Sequence, residues 1–259
     1  MRIAAGIEYD GHDFCGWQRL VQARSVQAEL EKALSKVADH AVHCVCAGRT
    51  DSGVHAQQQI IHFDTEAMRP DHAWLLGGNS YLPKDISIRW IAAVKNDFHA
   101  RFKAEARSYR YVILNNPVRP AILADKVTWV RKPLQVDVMQ QAAQYLVGEH
   151  DFTSFRATAC EANTPVRHVM RADVTRIDNF VYLDIKANAF LYHMVRNIAG
   201  VLISIGQGDH SPEWTQQLLQ ARDRTQGGVT APPDGLYLVS AHYPEKWGIP
   251  RSPKPIVFG

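Results

Sequence analysis

An α+β fold built from two layered halves is what the sequence predicts, on three observations. Apolar residues recur at strand spacing in some stretches and at helix spacing in others. The two kinds alternate without a strict strand–helix–strand repeat, and two similar halves meet near residue 107. We therefore expect an N-terminal half over 1–107, a C-terminal half over 108–245 and a Pro-rich tail over 246–259, with mixed, largely antiparallel sheets. At 259 residues, 46% hydrophobic and 21% charged, the chain can bury one large core or two smaller ones.

Residues 2–9 predict the first strand, followed by a loop through Gly16-Trp17-Gln18. Ser25 stands as an N-cap, and Val26, Leu30, Ala33, Leu34 and Val37 recur at helical spacing, so a helix runs from 25 to 38. Strands are expected over 42–46, 59–63 and 86–94, with a helix over 70–76 that has Pro70 in its first turn. The second half opens with a strand over 109–114 and a helix over 136–147 that Gly148 terminates. Residues 169–177 and 181–186 form a hairpin over Asp178-Asn179, and 190–205 is a helix with Gly206 after it. A further helix begins after Ser211-Pro212, residues 236–241 close as a strand, and 250–255 lies extended on the surface.

Composition narrows the function classes. The longest apolar stretch, 190–205, is broken by His193, Arg196 and Asn197, so no membrane span is expected. Met1-Arg2-Ile3 leads straight into a strand pattern rather than a signal peptide, which makes the cytoplasm the expected compartment. Cys15, Cys44, Cys46 and Cys160 lack C-x-x-C spacing and read as free thiols. No H-x-x-x-H or H-E-x-x-H pair occurs among the histidines, so no metal is expected, and His55 and His193 read as hydrogen-bonding groups. A phosphate-binding G-x-x-x-x-G-K-[ST] loop is lacking too, and Gly206-Gln207-Gly208 falls short of a dinucleotide fingerprint, so no nucleotide cofactor is expected.

Charge is unevenly spread. From Arg89 to Lys132 ten basic residues face three acidic ones, net +7, which leaves −4 for the rest of a chain whose total is +3. Interleaved with Phe98, Phe102, Tyr109 and Tyr111, this stretch suits a polyanion that also offers bases for stacking. A solvated charged face over core aromatics explains the same composition equally well.

The segment with most chemistry is Gly48-Arg49-Thr50-Asp51-Ser52-Gly53, a carboxylate and a guanidinium in a tight loop directly after a strand. By itself such a loop is also compatible with an Asx turn, its Asp bonded to the backbone and its Arg in water. The full wording Gly48-Arg49-Thr50-Asp51-Ser52-Gly53-Val54-His55 resembles the catalytic loop of the A family of tRNA pseudouridine synthases. Gly6-Ile7-Glu8-Tyr9-Asp10-Gly11 with Phe14-x-Gly16-Trp17-Gln18 before it, and Asp97-Phe98-His99-Ala100-Arg101-Phe102, Ser108-Tyr109-Arg110-Tyr111, Asp151-Phe152-Thr153-Ser154-Phe155, Ala189 to Asn197 and Gly235-Leu236-Tyr237-Leu238 after it, fall in that family's order. The likeness covers residues 1–245; Ser52 stands where the family most often has Ala.

That resemblance implies an active-site cleft between two pseudosymmetric halves and a cofactor-free isomerase that converts uridine to pseudouridine in tRNA. Asp51 would be the nucleophile, Arg196 its ion-pair partner, Tyr109 a ring stacked on the flipped uracil, and Leu236 an apolar wall. Arg49, the segment Phe98, His99, Ala100, Arg101 and Phe102, and Arg69 would contact the RNA. It further implies the anticodon arm as partner, with uridines 38 to 40 as targets, and a homodimer. Two other readings stand beside it: an inert RNA-binding protein that would not need Asp51, and an aspartate-dependent glycosidase, which needs a second carboxyl group such as Asp10 or Asp13.

Overall fold

The computed structural model describes residues 1–158, 160 and 162–258; Gly259, the last residue of the expected tail, lies outside the described residues. Strand β1 (Arg2–Tyr9) is buried on both faces over most of its length. The face at Gly6 is closed by Trp90, whose indole nitrogen would lie 2.1 Å from a Cβ at that position. Helix α1 (Val26–Ala38) buries Val26, Leu30, Ala33 and Leu34, the stripe expected from the sequence. Ser25 holds the N-cap position but its hydroxyl does not cap. The Val26 and Gln27 N–H groups instead donate to the Gly16 and Trp17 carbonyls at 3.3 and 3.0 Å, so the preceding loop does the capping.

Strand β2 is the short Cys44–Cys46, and β3 runs further than expected, from His55 to Asp64. The helix expected over 70–76 is a π-helical turn, Ala73–Gly77, continued by α2 (Gly78–Tyr81), and Trp74 within it is buried against Phe63. Strand β4 covers Ile86–Val94, β5 Ala106–Asn115 and β6 Thr128–Val130. Helix α3 (Val136–Gln144) stops three residues short of the expected end, because Gly148, at φ 110°, turns the chain into β7 (Gly148–Asp151). The long hairpin of β8 (Val166–Ile177) and β9 (Phe180–Ala187) turns over Asp178, at φ 50°. Helix α4 (Met194–Gly206) begins four residues later than expected, because His193 holds a left-handed conformation at φ 61°. Phe190 is thereby released to pack edge-on against Tyr109. Helix α5 (Trp214–Ala221) and strand β10 (Leu236–His242) complete the order.

The chain clusters into two units. Unit 1 comprises Met1–Ala106 and Tyr237–Pro255; unit 2 comprises Arg107–Leu236 and Ile256–Gly259. In unit 1 the strand order is β4–β1–β3–β10, antiparallel except where β10 runs parallel to β3, and β2 pairs the far end of β3. In unit 2 the order is β5–β9–β8–β7, all antiparallel, with β6 parallel to β5. The division departs from two contiguous halves, since pairing of Tyr237 with His55 draws the closing strand into unit 1.

The tail is held rather than loose. Gln57 Nε2 donates to the Lys254 carbonyl at 3.1 Å, and Arg110 Nη1 donates to that of Ile256 at 2.7 Å. Tyr182 and Phe258 exchange two hydrogen bonds at 2.6 and 2.9 Å. Among the described residues no helix is long and apolar enough to cross a membrane.

Helix α4 packs closest at Gly200, where a Cβ would stand 1.9 Å from the Val229 carbonyl oxygen. A mid-helix Gly→Ala change ordinarily stabilises by about 1 kcal/mol. Here overpacking dominates, and Gly200→Ala should cost roughly 1–3 kcal/mol, read as a lower urea midpoint with unchanged slope.

Candidate active site

The loop of residues 47–54 hangs between β2 and β3, and its conformation is set by what surrounds it. Ala47 N–H donates to the Ile60 carbonyl at 2.8 Å, and the fully buried Gln59 amide donates to the Gly48 carbonyl at 2.5 Å. The far end is clasped by the loop after β1. Gly53 N–H and the Ser52 hydroxyl both donate to the Phe14 carbonyl, at 3.3 and 3.2 Å, and Trp17 N–H donates to that of Thr50 at 3.0 Å. In the middle, the buried Tyr9 and Thr50 hydroxyls share a hydrogen bond of 2.6 Å.

Glycines permit this clasp, and of the two that flank the segment only Gly53 takes part. Gly53 is left-handed at φ 78°, while Gly48 is not, and a Cβ at Gly48 would meet nothing within 4 Å. The close approaches lie opposite: a Cβ at Gly11 would stand 2.0 Å from the Val54 carbonyl, and one at Gly16, at φ 88°, 2.8 Å from that of Thr50. Phe14 is held in turn by Arg24, whose guanidinium lies 4.1 Å over its ring while making two bonds to Asp85. His55, just past the loop, is buried, stacks on Tyr237 and accepts from Gly11 N–H through Nδ1 at 3.0 Å, which bears out its reading as a hydrogen-bonding group. Within this frame Thr50 is buried, Asp51 half-buried and Arg49 exposed, so a carboxylate and a guanidinium stand on a rigid support.

The other unit 1 candidates divide by burial. Phe98 and Ala100 are both 0% exposed and pack into the core with Ala4, Ile60 and Trp247. Their side chains face the wrong way to touch RNA, and their part in the expected contact is to anchor the turn from inside. Phe102, by contrast, is 73% exposed, stacked on His99 at 4.3 Å between ring centroids, with the Arg101 guanidinium 5.7 Å from its ring. Arg69 is exposed in the segment after β3 and bonds the Met68 carbonyl at 3.4 Å.

The remaining candidates belong to unit 2. Tyr109 lies on β5, half-buried, its ring meeting Phe190 at 5.0 Å and 81°. Arg196 is in the first turn of α4, where Nε donates to the Ala231 carbonyl at 2.8 Å and Ala231 N–H returns a bond to the Arg196 carbonyl at 3.1 Å. These bonds orient the guanidinium. Leu236 opens β10 and is only 5% exposed. Not every basic residue of the middle stretch is available to a polyanion: Arg110 is buried in a bidentate pair with Asp184 at 2.7 and 2.6 Å. Among the described residues no three His, Cys, Asp or Glu side chains gather as a metal site.

Sequence reasoning passed over the groups that hold these loops, Tyr9, Gln59, His62 and Tyr243. Nothing in their spacing marks them, since each sits in an ordinary strand or strand-end pattern.

Comparison with known proteins places these residues in a family. A family model described as tRNA pseudouridine synthase matches residues 5–103 and 142–244. The chain is 56% identical over 252 residues to tRNA pseudouridine synthase A of Coxiella burnetii (strain Dugway 5J108-111), covering 97% of each chain. It is 55% identical over 256 residues to the protein of that name in Nitrosococcus oceani, covering 99% of each. Against that of Vibrio cholerae serotype O1 (strain ATCC 39541 / Classical Ogawa 395 / O395) it is 56% identical over 253 residues, covering 98% of this chain and 96% of the relative. A chain in a solved Cbf5-Nop10-Gar1 complex aligns over 78% of this chain and 54% of its own, at 11% identity and a TM-score of 0.32, a likeness too slight to bear on fold or function.

The site region carries its own pH dependence. Burial, with His99 and Arg2 nearby, lowers the His62 imidazole to about 4 from the ordinary histidine value. The unfolded imidazole takes a proton near pH 6.5 that the folded one refuses until about pH 4, so stability present above that window is lost as pH falls through it. The loss should be on the order of 3 kcal/mol, visible in urea midpoints at pH 7 and pH 4, and His62→Asn should flatten the difference.

Proposed function

Because the chain belongs to the tRNA pseudouridine synthase family, an isomerase family acting on tRNA, we propose that Asp51 is its nucleophile and that it acts on uridines 38 to 40 of the anticodon arm. The observation that carries the reading is the clasped loop: the family-like segment 48–55 holds Asp51 half-buried on a support with Tyr9, Gln59, Phe14 and Trp17 bonded to the residues around it.

The reaction breaks the N1–C1′ bond, turns the base and joins C5 to C1′; C5 loses its hydrogen to solvent and N1 gains one. No electrons are exchanged, so a positioned carboxylate can carry it by adding to C6 of uracil or by acting at the sugar carbon. C5 and C1′ cannot be brought together inside a stacked helix, so the nucleotide is flipped out. Tyr109, braced edge-on by Phe190, is the ring we assign to receive it, with Leu236 as apolar wall. Asp51 must stay ionised in a site emptied of water, and Arg196 is the group we assign to keep it so, because a guanidinium is permanently charged and pairs in two places. Arg49, Arg69, Arg101 and Phe102 are exposed and suited to phosphate and base contact. A homodimer and the cytoplasm complete the proposal.

Tritium release tests it. From unmodified tRNA carrying 5-tritiated uridine, the intact protein should release tritium and Asp51→Asn none; release by Asp51→Asn at the intact rate would remove the nucleophile assignment. Arg196→Ala should lower turnover at saturating tRNA by at least about 100-fold, as expected for loss of a charge that stabilises the reacting state. A near-normal rate in that variant would exclude the ion pair.

A further inference from the structure

The turn at residues 98–102 is held in a way the reaction does not by itself explain. Its backbone groups are bonded one after another by side chains, three from elsewhere in unit 1 and one from the turn itself. Arg2 Nη1 donates to the Phe98 carbonyl at 2.7 Å, and the Tyr243 hydroxyl donates to that of Ala100 at 2.6 Å. Two imidazoles accept the N–H groups. His62 Nδ1, on β3, accepts from Ala100 N–H at 3.1 Å, and His99 Nδ1 accepts from both Arg101 and Phe102 N–H at 3.2 Å. The rings themselves form a row: His62 is edge-on to Phe98 at 6.1 Å and 4.7 Å from His99, which stacks on Phe102.

A neutral imidazole nitrogen without a proton accepts a hydrogen bond; once protonated it becomes a donor and faces the N–H groups donor to donor. His62 is 4% exposed, so no water replaces the bond if the acceptor is lost. The row ends on an aromatic ring 73% exposed beside a guanidinium, a platform for a base or a sugar-phosphate.

We propose that His62 is a positioning residue for RNA binding: through Ala100 N–H and the ring of His99 it fixes the turn that presents Arg101 and Phe102. The inference rests on the reading that this turn touches tRNA, and the experiment separates the two. Asn places a carbonyl oxygen where Nδ1 stood, while Leu fills similar volume with no acceptor. Tritium-release kinetics on unmodified tRNA should show the KM of His62→Leu raised about tenfold, the weight of one buried hydrogen bond, with kcat changed far less, and His62→Asn restored to within about threefold. Amide exchange at Ala100 should be fast in His62→Leu and slow in His62→Asn.

Arg101→Ala and Phe102→Ala supply the control. If either weakens tRNA binding while a folded His62→Leu binds as the intact protein does, the His62 role is overturned and the contact reading survives. Unchanged binding in both controls overturns the contact reading itself. Should His62→Leu fail to fold, His99→Ala, at a half-exposed position on the same turn, must raise KM without lowering kcat, and an unchanged KM there overturns the proposal.

Discussion

Asp51 owes its place to two loops that close on each other through backbone contacts admitting no side chain. Gly11 lies against the Val54 carbonyl and Gly16 against that of Thr50, and the Phe14 carbonyl accepts two bonds from the other side. A backbone held this closely has few alternatives, because moving it would strand buried N–H and C=O groups at about 1–3 kcal/mol each. The same loop supplies Gly16 and Trp17 carbonyls to the first turn of α1, so the helix start and the candidate nucleophile share one anchor. Ser25, in a good capping position, does no capping, and Gln27 N–H, one of the donors its hydroxyl could satisfy, is already bonded to the Trp17 carbonyl.

Unit 2 holds its candidates by a comparable device in different elements. The approach of Gly200 to the Val229 carbonyl and the paired bonds of Arg196 with Ala231 lock the start of α4 against a loop. His193, left-handed just before the helix, ends the preceding chain direction, which leaves Phe190 to brace Tyr109. Asp51 thus stands on a clasped loop, and Arg196 in the first turn of a helix pinned to the loop beside it. Positioning of this kind costs no reorganisation when a substrate arrives.

The basic middle of the chain proves to be of two kinds. Arg110 is consumed by Asp184 and by the tail at Ile256, whereas Arg101 is exposed beside the ring of Phe102. Charge counting could not separate them, because a buried bidentate pair and a solvated arginine contribute equally to a net charge. Burial also divides the segment 98–102 that the resemblance grouped as one RNA-contacting surface: Phe98 and Ala100 enter the core, while Arg101 and Phe102 stay exposed.

Much of this was legible in the sequence. Periodicity alone located β1, α1, the β8–β9 hairpin and the α+β class, because strand and helix spacing are properties of neighbouring residues. The wording of residues 48–55 pointed to Asp51 and to the family that comparison then established. What the sequence could not supply is whatever depends on partners distant in the chain. The membership of β10 in unit 1, the burial of Phe98 and the acceptor role of His62 follow from contacts across long separations, and the late start of α4 and the early end of α3 turn on the left-handed backbone at His193 and Gly148, which periodicity does not register. The residue types at these places are compatible with several local conformations of similar energy, and tertiary packing, which no local pattern encodes, selects among them.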